Sequence, residues 1–234
     1  MNYIVLNGAK STNIKGLMIQ TLPPVTKPLI RTSVEEVDGR DGDIVTKLGY
    51  SAYNKELSIG LYGDYDIDQV IQFFDSEGTV ILSNEPDKFY RYQIIEQIDF
   101  EKLIRFKTAT VTLHVQPFKF SAVDNAEKVI ASGSRTSSVI HNRGNIYSKP
   151  TITIHGTGSV TISINSVLAF TINMTGIEKI TIDGESMNAY DGDVYLNRRV
   201  SGSYDNLRFI IGSNALSWTG NVSMIEIENF SRWI

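Results

Sequence analysis

Apolar and polar side chains alternate along much of the first 120 residues, which is the pattern of half-buried β-strands. The stretch 55–61 alternates through Leu57, Ile59 and Leu61. A longer strand is predicted over residues 103–115, with one apolar face and one threonine-rich face that suits contact with water or a neighbouring subunit. Tyr90 and Tyr92 share a face of an earlier strand, and we expect that face to form a subunit contact, because tyrosine is enriched at interfaces.

One segment of the first half has helical spacing instead. Apolar residues recur at i, i+3, i+4 and i+7 and predict a short amphipathic helix: Ile67, Val70, Ile71 and Phe74. Asp66 is placed to cap its first turn, and Gly78 supplies a stop past its end. A helix this short must dock on the sheet to be stable.

The second half consists of short alternating segments separated by tight turns. Residues 160–164 and 168–172 predict a hairpin around Asn165-Ser166, and further strands are predicted at 180–182, 194–196, 207–211 and 222–227. Trp218 is expected on a loop between the last two. This spacing, without a helical period, predicts an antiparallel sandwich. The fold class is therefore all-β with one short helix: an N-terminal β-barrel or sandwich followed by a C-terminal antiparallel β-sandwich.

The middle of the chain has the features of a joint between two β-domains. A strand closes at Pro117-Phe118, the polar stretch 131–138 carries no helical period, and Asn142-Arg-Gly144 precedes a strand led by Pro150 and a Gly156-Thr-Gly158 turn. We place the domains at residues 1–133 and 134–234.

Residues 25–50 predict a hairpin arm on the first domain. Prolines at 23, 24 and 28 stiffen the approach, and Asp38-Gly39 and Asp41-Gly42 are turn signals. The flanks have few apolar residues to bury on their own domain. An unpaired edge is a liability in a monomer, and pairing with a neighbour resolves it. At the tip, Arg40 is placed either to fork onto a neighbour's carboxylate or to remain solvated.

Composition narrows the function classes. A formal charge of −4 argues against nucleic-acid binding, which normally needs a basic surface. The absence of cysteine excludes disulfides and thiolate chemistry, and fits folding in a reducing cytosol. No apolar run approaches the roughly 20 residues that span a bilayer, and the first residues predict a strand, not a signal peptide.

The residues that could bind a metal or catalyse a reaction are better explained by structural roles. Asp64, Asp66 and Asp68 have the first spacings of a calcium loop, but the glycine and terminal glutamate of that loop are absent, so we expect helix capping. His114, His141 and His155 have no ligand-spaced partners, and no catalytic motif occurs. We expect no enzyme activity, no metal and no cofactor.

The order of these motifs resembles that of siphophage distal tail proteins, the Dit family. Gly39-Arg40-Asp41-Gly42 is similar to the sequence near the tip of that family's hairpin, called the belt, and residues 68–80 resemble the helix and strand that follow it. Pro117-Phe118 is similar to the family's domain closure. In the second half, the order of three motifs fits the galectin-like β-sandwich of that family. These motifs lie at residues 152–158, 182–184 and 207–214, the last with one extra residue.

The resemblance implies a structural virion protein at the distal end of the tail of a long-tailed phage or prophage, assembled in the host cytoplasm. N-terminal domains would form a homo-hexameric ring whose belts clasp neighbours. The partners implied are the tail tube protein, the tail-associated baseplate or lysin protein and, in some phages, receptor-binding proteins. DNA would only pass through, and no membrane is involved. The belt contacts are expected among seven residues: Arg31, Val34, Glu35, Val37, Arg40, Asp41 and Asp43.

Two alternatives belong to other classes. A carbohydrate-binding adsorption protein would act through the C-terminal sandwich, with Trp218 as a stacking platform for sugar. A tail-tube or secretion-tube subunit would share the N-terminal architecture without needing the second sandwich.

Overall fold

The computed structural model describes residues 1–123, 127–130, 136–228 and 231–234. It divides into two compact units, Met1–Ala122 together with Ile234, and Val123–Trp233. Most regular structure in both units is β, which confirms the all-β fold class. Part of the polar stretch predicted at 131–138 lies outside the described residues.

The N-terminal unit contains nine strands and two α-helices among its described residues. Its strands are β1 (Ile4–Leu6), β2 (Ala9–Lys10), β3 (Leu17–Thr21), β4 (Ile30–Glu36), β5 (Asp43–Tyr50), β6 (Tyr53–Leu61), β7 (Glu77–Leu82), β8 (Lys88–Gln93) and β9 (Thr108–Ser121). Its helices are α1 (Ile67–Phe74) and α2 (Phe100–Phe106), with a 3₁₀ turn at Ser11–Asn13.

Seven of these strands form one antiparallel sheet in the order β2-β1-β7-β8-β9-β6-β3. The alternation along β6 places Leu57 and Ile59 in the core, opposite Val111 and Ala109 of β9. The remaining two, β4 and β5, form a separate two-stranded sheet.

Helix α1 has the predicted bounds and cap. The Asp66 carboxylate accepts hydrogen bonds from the backbone N–H groups of Asp68 and Gln69, at 3.1 and 3.2 Å. The predicted apolar face is wrong at one position, because Phe73 is buried while Ile71 is largely exposed. Gly78 does not end the helix: it lies in β7 at φ 134°, where the Asn7 side chain leaves no room for a Cβ atom.

Helix α2 was not predicted. Residues 103–106 belong to this helix, so the predicted strand 103–115 begins only at Thr108. The Asp99 carboxylate accepts a hydrogen bond from the Lys102 N–H at 2.8 Å and caps the helix, and Lys107 ends it in the left-handed conformation at φ 58°. Only Leu103 of the helix is fully buried.

The C-terminal unit contains ten strands among its described residues. They are β10 (Glu127–Ile130), β11 (Ser137–Asn142), β12 (Thr151–Ile164), β13 (Val167–Asn173), β14 (Lys179–Asp183), β15 (Asn188–Asp191), β16 (Val194–Tyr195), β17 (Val200–Gly202), β18 (Gly212–Glu228) and β19 (Arg232–Trp233). Short 3₁₀ turns occupy Asn197–Arg199 and Tyr204–Asn206.

Two long strands organise this unit. β18 pairs with β10, β11 and β12, while β12 pairs with β14 in its first part and with β13 in its last part. Gly156 and Gly158 therefore mark irregularities within a continuous β12, not the predicted turn between strands. Residues 207–211 form no strand of their own, and Phe209 makes an isolated bridge with Ser148.

The predicted hairpin at Asn165-Ser166 is confirmed. β12 and β13 pair antiparallel around these two residues, both in the left-handed conformation with φ of 51° and 67°, as a two-residue turn of the mirror-image type requires. A register shift between Ile162 and Ser163 turns Leu168 outward and buries Ala169 beside Phe170, which corrects the simple alternation expected for this strand.

Candidate assembly surface

The arm, residues 30–50, is a twisted hairpin whose two strands pair with each other. The register runs from Ile30 opposite Tyr50 to Glu36 opposite Asp43, with an irregularity between Arg31 and Thr32. At about 3.3 Å per residue, the eight residues of β5 span about 26 Å. Gly39 and Gly42 close the tip with φ of 80° and 79°, conformations that glycine adopts without strain.

Each face of the arm is set by this register. Val34 lies directly opposite Val45, and both side chains are more than half exposed, at 54% and 58%. Two residues nearer the tip, Glu36 lies directly opposite Asp43 on the same face. We call this the valine face of the arm: Thr32, Val34, Glu36, Asp43, Val45 and Lys47.

The structure places the seven predicted belt residues at different points of the arm. Val34 and Asp43 belong to the valine face, whereas Glu35 lies on the opposite face, across from Ile44. Val37, Arg40 and Asp41 lie in the tip turn, where the Arg40 N–H donates to the Val37 carbonyl at 3.1 Å. Arg31 lies at the irregularity near the base, beside Gly49.

The prediction omitted Glu36, Ile44, Val45 and Leu48, which the structure also exposes on the arm. For Glu36 and Val45 a signal was available in the sequence. Once Asp38 to Gly42 is taken as the turn, pairing outward from it brings Val34 opposite Val45 and Glu36 opposite Asp43.

The tip of the arm carries a high density of negative charge. Residues 35–43 contain five carboxylates and one guanidinium: Glu35, Glu36, Asp38, Asp41, Asp43 and Arg40. Their formal charge of −4 equals that of the whole chain, so the remaining residues are balanced between 21 basic and 21 acidic side chains. The tip is therefore a strongly acidic segment, although residues 64–77, with five carboxylates and no basic side chain, are strongly acidic as well.

The base of the arm is tied to the N-terminal sheet by polar side chains. The Lys55 ammonium donates to the Pro24 carbonyl at 2.9 Å, and the Asn84 amide donates to the Pro23 carbonyl at 3.1 Å. Lys55 lies on the buried side of β6 and is only 3% exposed. Burial lowers the pKa of Lys55 to about 8, with the nearby Glu85 carboxylate opposing the effect and the Lys119 ammonium adding to it.

Tyrosines and a second ion pair surround Lys55. Lys119 pairs with Glu85 at 2.8 Å, and both side chains are largely buried. The Tyr90 hydroxyl donates to the other oxygen of Glu85 at 3.1 Å. Burial raises the pKa of the Tyr90 hydroxyl and, to a smaller extent, the pKa of the Tyr53 hydroxyl. The network holds the start of the arm by its backbone carbonyls.

Three aromatic residues lie elsewhere than expected. Tyr90 and Tyr92 are 1% and 3% exposed, so their shared face is the core of the unit and not a subunit contact. Trp218 lies within β18 opposite Ile162, and its side chain packs in the core of the C-terminal unit at 4% exposure. It offers no platform for a sugar.

The described residues include no helix of the length and apolarity needed to cross a bilayer. The Asp64 carboxylate of the rejected calcium loop pairs with Lys15, and Asp66 caps α1.

Comparison with known proteins was made for sequence and for structure. No protein-family model and no curated protein sequence matches the chain. Among solved structures, the chain is similar to the Dit protein of phage SPP1, described as a paradigm of the hub adsorption apparatus in phages that infect Gram-positive bacteria. The match covers 98% of this chain and 99% of that one, with a TM-score of 0.62 and 15% identity.

The chain has a Dit-like fold. A chain from the phage p2 baseplate in its activated conformation is also similar, with 98% of this chain and 97% of that one covered, a TM-score of 0.48 and 11% identity. The likeness to the SPP1 protein extends over both units, so the order of the two β-domains is shared as well as their class.

Proposed function

We propose that the chain is the distal tail hub subunit of a long-tailed, siphovirus-like phage or prophage. The observation that carries the proposal is the match over almost the whole length of both chains to the hub protein of SPP1. The arm supports it independently, because a two-stranded sheet with exposed valines and a concentrated charge is suited to contact another subunit.

In this proposal six N-terminal units form a ring and each arm acts as a belt that clasps the next subunit. The same two surfaces are used in every contact, so the contact is heterologous and closes by rotation. The C-terminal units, with a galectin-like sandwich, project outward. The ring joins the tail tube protein to the tail-associated baseplate protein and to any receptor-binding proteins, at the distal end of the virion tail.

The hub works as an adaptor and a channel and performs no chemistry. DNA passes through the ring without being bound, and a hexamer of chains with a formal charge of −4 each does not attract phosphate. Assembly takes place in the cytoplasm of the bacterial host.

The test is the solution mass measured by light scattering after gel filtration. Six copies of 26.1 kDa give about 157 kDa, and two stacked rings give twice that mass. A monomer at every concentration, both alone and with a purified tail tube protein, would contradict the proposal.

A second candidate function is carbohydrate binding by the C-terminal unit, favoured by one feature. Tyr190 and Tyr195 lie opposite each other in the hairpin of β15 and β16, and the Tyr195 side chain is largely exposed. Both tyrosines line a cleft of about 330 Å³, together with Asn188 and Asp193. Exposed tyrosine rings beside hydrogen-bonding groups suit a sugar. Glycan-array binding that is lost in Tyr195→Ala and kept in Val194→Ala supports this function, and an array without binding contradicts it.

A further inference from the structure

We infer that the valine face of the arm docks on the outward surface of helix α2 in the next copy of the chain. The inference rests on the proposed ring and names the receptor surface for the arm, which the ring alone does not specify.

Helix α2 presents an apolar and basic surface to solvent. Phe106 is 63% exposed and Ile104 is 42% exposed. Lys102 and Arg105 are also exposed and, at 100° per residue, they lie next to Phe106 on the outward side of the helix. The exposed Glu101 lies on the same side, between Arg105 and Ile104, so the basic part of the surface is the part beside Phe106. We call this the α2 surface: Lys102, Ile104, Arg105 and Phe106.

The basic residues of the α2 surface are available for a partner. Among the described residues, neither Lys102 nor Arg105 has an ion-pair partner, although the Arg105 guanidinium lies 5.7 Å from the centre of the Phe106 ring. Other lysines of this unit are engaged: Lys15 with Asp64, Lys88 with Asp87, and Lys119 with Glu85. Exposed aromatic and basic groups together are typical of a binding surface.

The arm carries the matching set of groups. Its two exposed valines are followed by Glu36 and Asp43, which face each other directly across the hairpin. Like charges at directly opposite positions destabilise a strand pair. Cationic side chains placed between them remove this repulsion, so the arm is more stable when it is docked on a basic surface than when it is free.

The two surfaces therefore match both in apolar character and in charge. The valine pair fits the exposed Phe106 ring, and the carboxylates of Glu36 and Asp43 fit Lys102 and Arg105, which lie next to Phe106 around the helix. Because the arm and α2 are different surfaces of one chain, their contact is head-to-tail and repeats from copy to copy. Charge complementarity of this kind also increases the rate of association and depends on salt.

The experiment exchanges the charges of the two surfaces. An arm variant carries Glu36→Lys and Asp43→Lys, a helix variant carries Lys102→Glu and Arg105→Glu, and an exchanged variant carries all four. A matched control carries Arg143→Glu and Arg198→Glu, which reverse two exposed charges on the C-terminal unit. Mass is measured by light scattering, and circular dichroism checks that each variant is folded.

We expect the wild type, the exchanged variant and the control to form the ring, and the arm and helix variants to remain monomeric. In an equimolar mixture of the arm and helix variants, the arm of each variant carries the charge opposite to that of the α2 surface of the other, so both contacts are complementary. The mixture is therefore expected to form a ring of alternating chains, about 157 kDa, although neither variant forms one alone. A folded helix variant that assembles like the wild type overturns the inference and leaves the proposed ring intact. An exchanged variant that stays monomeric has the same consequence. A wild type that stays monomeric both alone and with a purified tail tube protein overturns both.

A cross-link provides a second measurement that does not depend on charge. The chain contains no cysteine, so Val45→Cys with Phe106→Cys introduces the only two thiols. A short bismaleimide is expected to give a ladder of covalent oligomers up to six chains. The pair Val45→Cys with Val194→Cys, whose second site is exposed on the C-terminal unit, serves as the control. Equal ladders from both pairs would also overturn the inference.

Discussion

The buried ammonium of Lys55 makes the stability of the N-terminal unit depend on pH in an unusual direction. The pKa of Lys55 is lowered by burial to about 8, from 10.5 in an exposed lysine. Between these values the unfolded chain holds a proton that the folded chain has released. Stability therefore rises as pH increases through this range, because the unfolded state binds more protons. Below pH 8 both states are protonated, and the cost of burying the charge is fully present.

The size of the effect follows from the two pKa values. At about 1.4 kcal/mol for each pH unit, the difference between 8 and 10.5 corresponds to about 3 kcal/mol. About 2 kcal/mol of this is recovered between pH 7 and about pH 9.5. The upper limit is set by tyrosine: burial raises the pKa of Tyr90, so above about pH 10 the unfolded phenol ionises first and stability falls again.

The assay compares urea unfolding of the wild type with that of Lys55→Met at several pH values from 7 to 9.5. Both proteins carry Trp233→Phe, so that Trp218 is the one tryptophan left. Far-UV circular dichroism follows the whole chain, while the fluorescence of Trp218, buried in β18, reports the C-terminal unit. We expect the free energy of unfolding of the wild type to increase relative to the variant by about 2 kcal/mol, in the dichroism signal only. Parallel pH profiles of the two proteins would refute the argument, since they would mean that Lys55 titrates normally.

Two further substitutions test the packing of the C-terminal unit. Trp218→Ala should lower the free energy of unfolding of the C-terminal unit by about 3–5 kcal/mol, because the indole is buried. The free energy is measured by urea denaturation, and a loss below about 1 kcal/mol would contradict that burial. Ser166→Gly should stabilise the unit by about 0.5–1 kcal/mol and raise its thermal midpoint, because glycine adopts the left-handed backbone at φ 67° without strain. Ser163→Gly, within β12, should lower the midpoint. Equal shifts of the midpoint in the two variants would contradict the turn assignment.

Features that depend on neighbours in the sequence were predictable. Helix α1 follows from the spacing of Ile67, Val70 and Phe74, and Asp66 caps it through two adjacent N–H groups. The turn between Asn165 and Ser166 follows from alternation on both sides of it. In each case the determining contacts lie within about one turn of helix or one hairpin, so local pattern is sufficient.

Features that depend on distant residues were not predictable. Leu103 fits the apolar alternation that leads into β9 as well as the face of α2, and Lys107 ends the helix where a glycine would have been the usual signal. Lys55 lies on the core side of β6, where Pro24, Glu85 and Tyr90 surround it, and all three are at least 30 positions away in sequence. The strand that contains Trp218 is interrupted by Gly220, which resembles a loop in sequence but is an irregularity opposite β12.

The position of the candidate site was predictable to a similar extent. The turn glycines located the tip of the arm, so the sequence was sufficient to place Val34 and Asp43 on its strands; their role in a contact stays a prediction. The α2 surface was not predictable from the sequence, because residues 103–106 of helix α2 were predicted to be part of a strand. The receptor role that we infer for it rests on exposed side chains, and these can be matched to the arm only when the charge and register of the arm are known.

The long strand β18 also sets the order in which the newly made chain folds. It forms ladders with β10, β11 and β12, and Ser217 pairs with Ser137, 80 positions earlier. The C-terminal unit therefore cannot complete its sheet until residues 212–228 have left the ribosome, whereas the seven strands β1–β3 and β6–β9 of the N-terminal unit need only residues up to 121. Contacts so distant in sequence form slowly. During synthesis these seven strands and the arm are thus available before the sandwich that follows them.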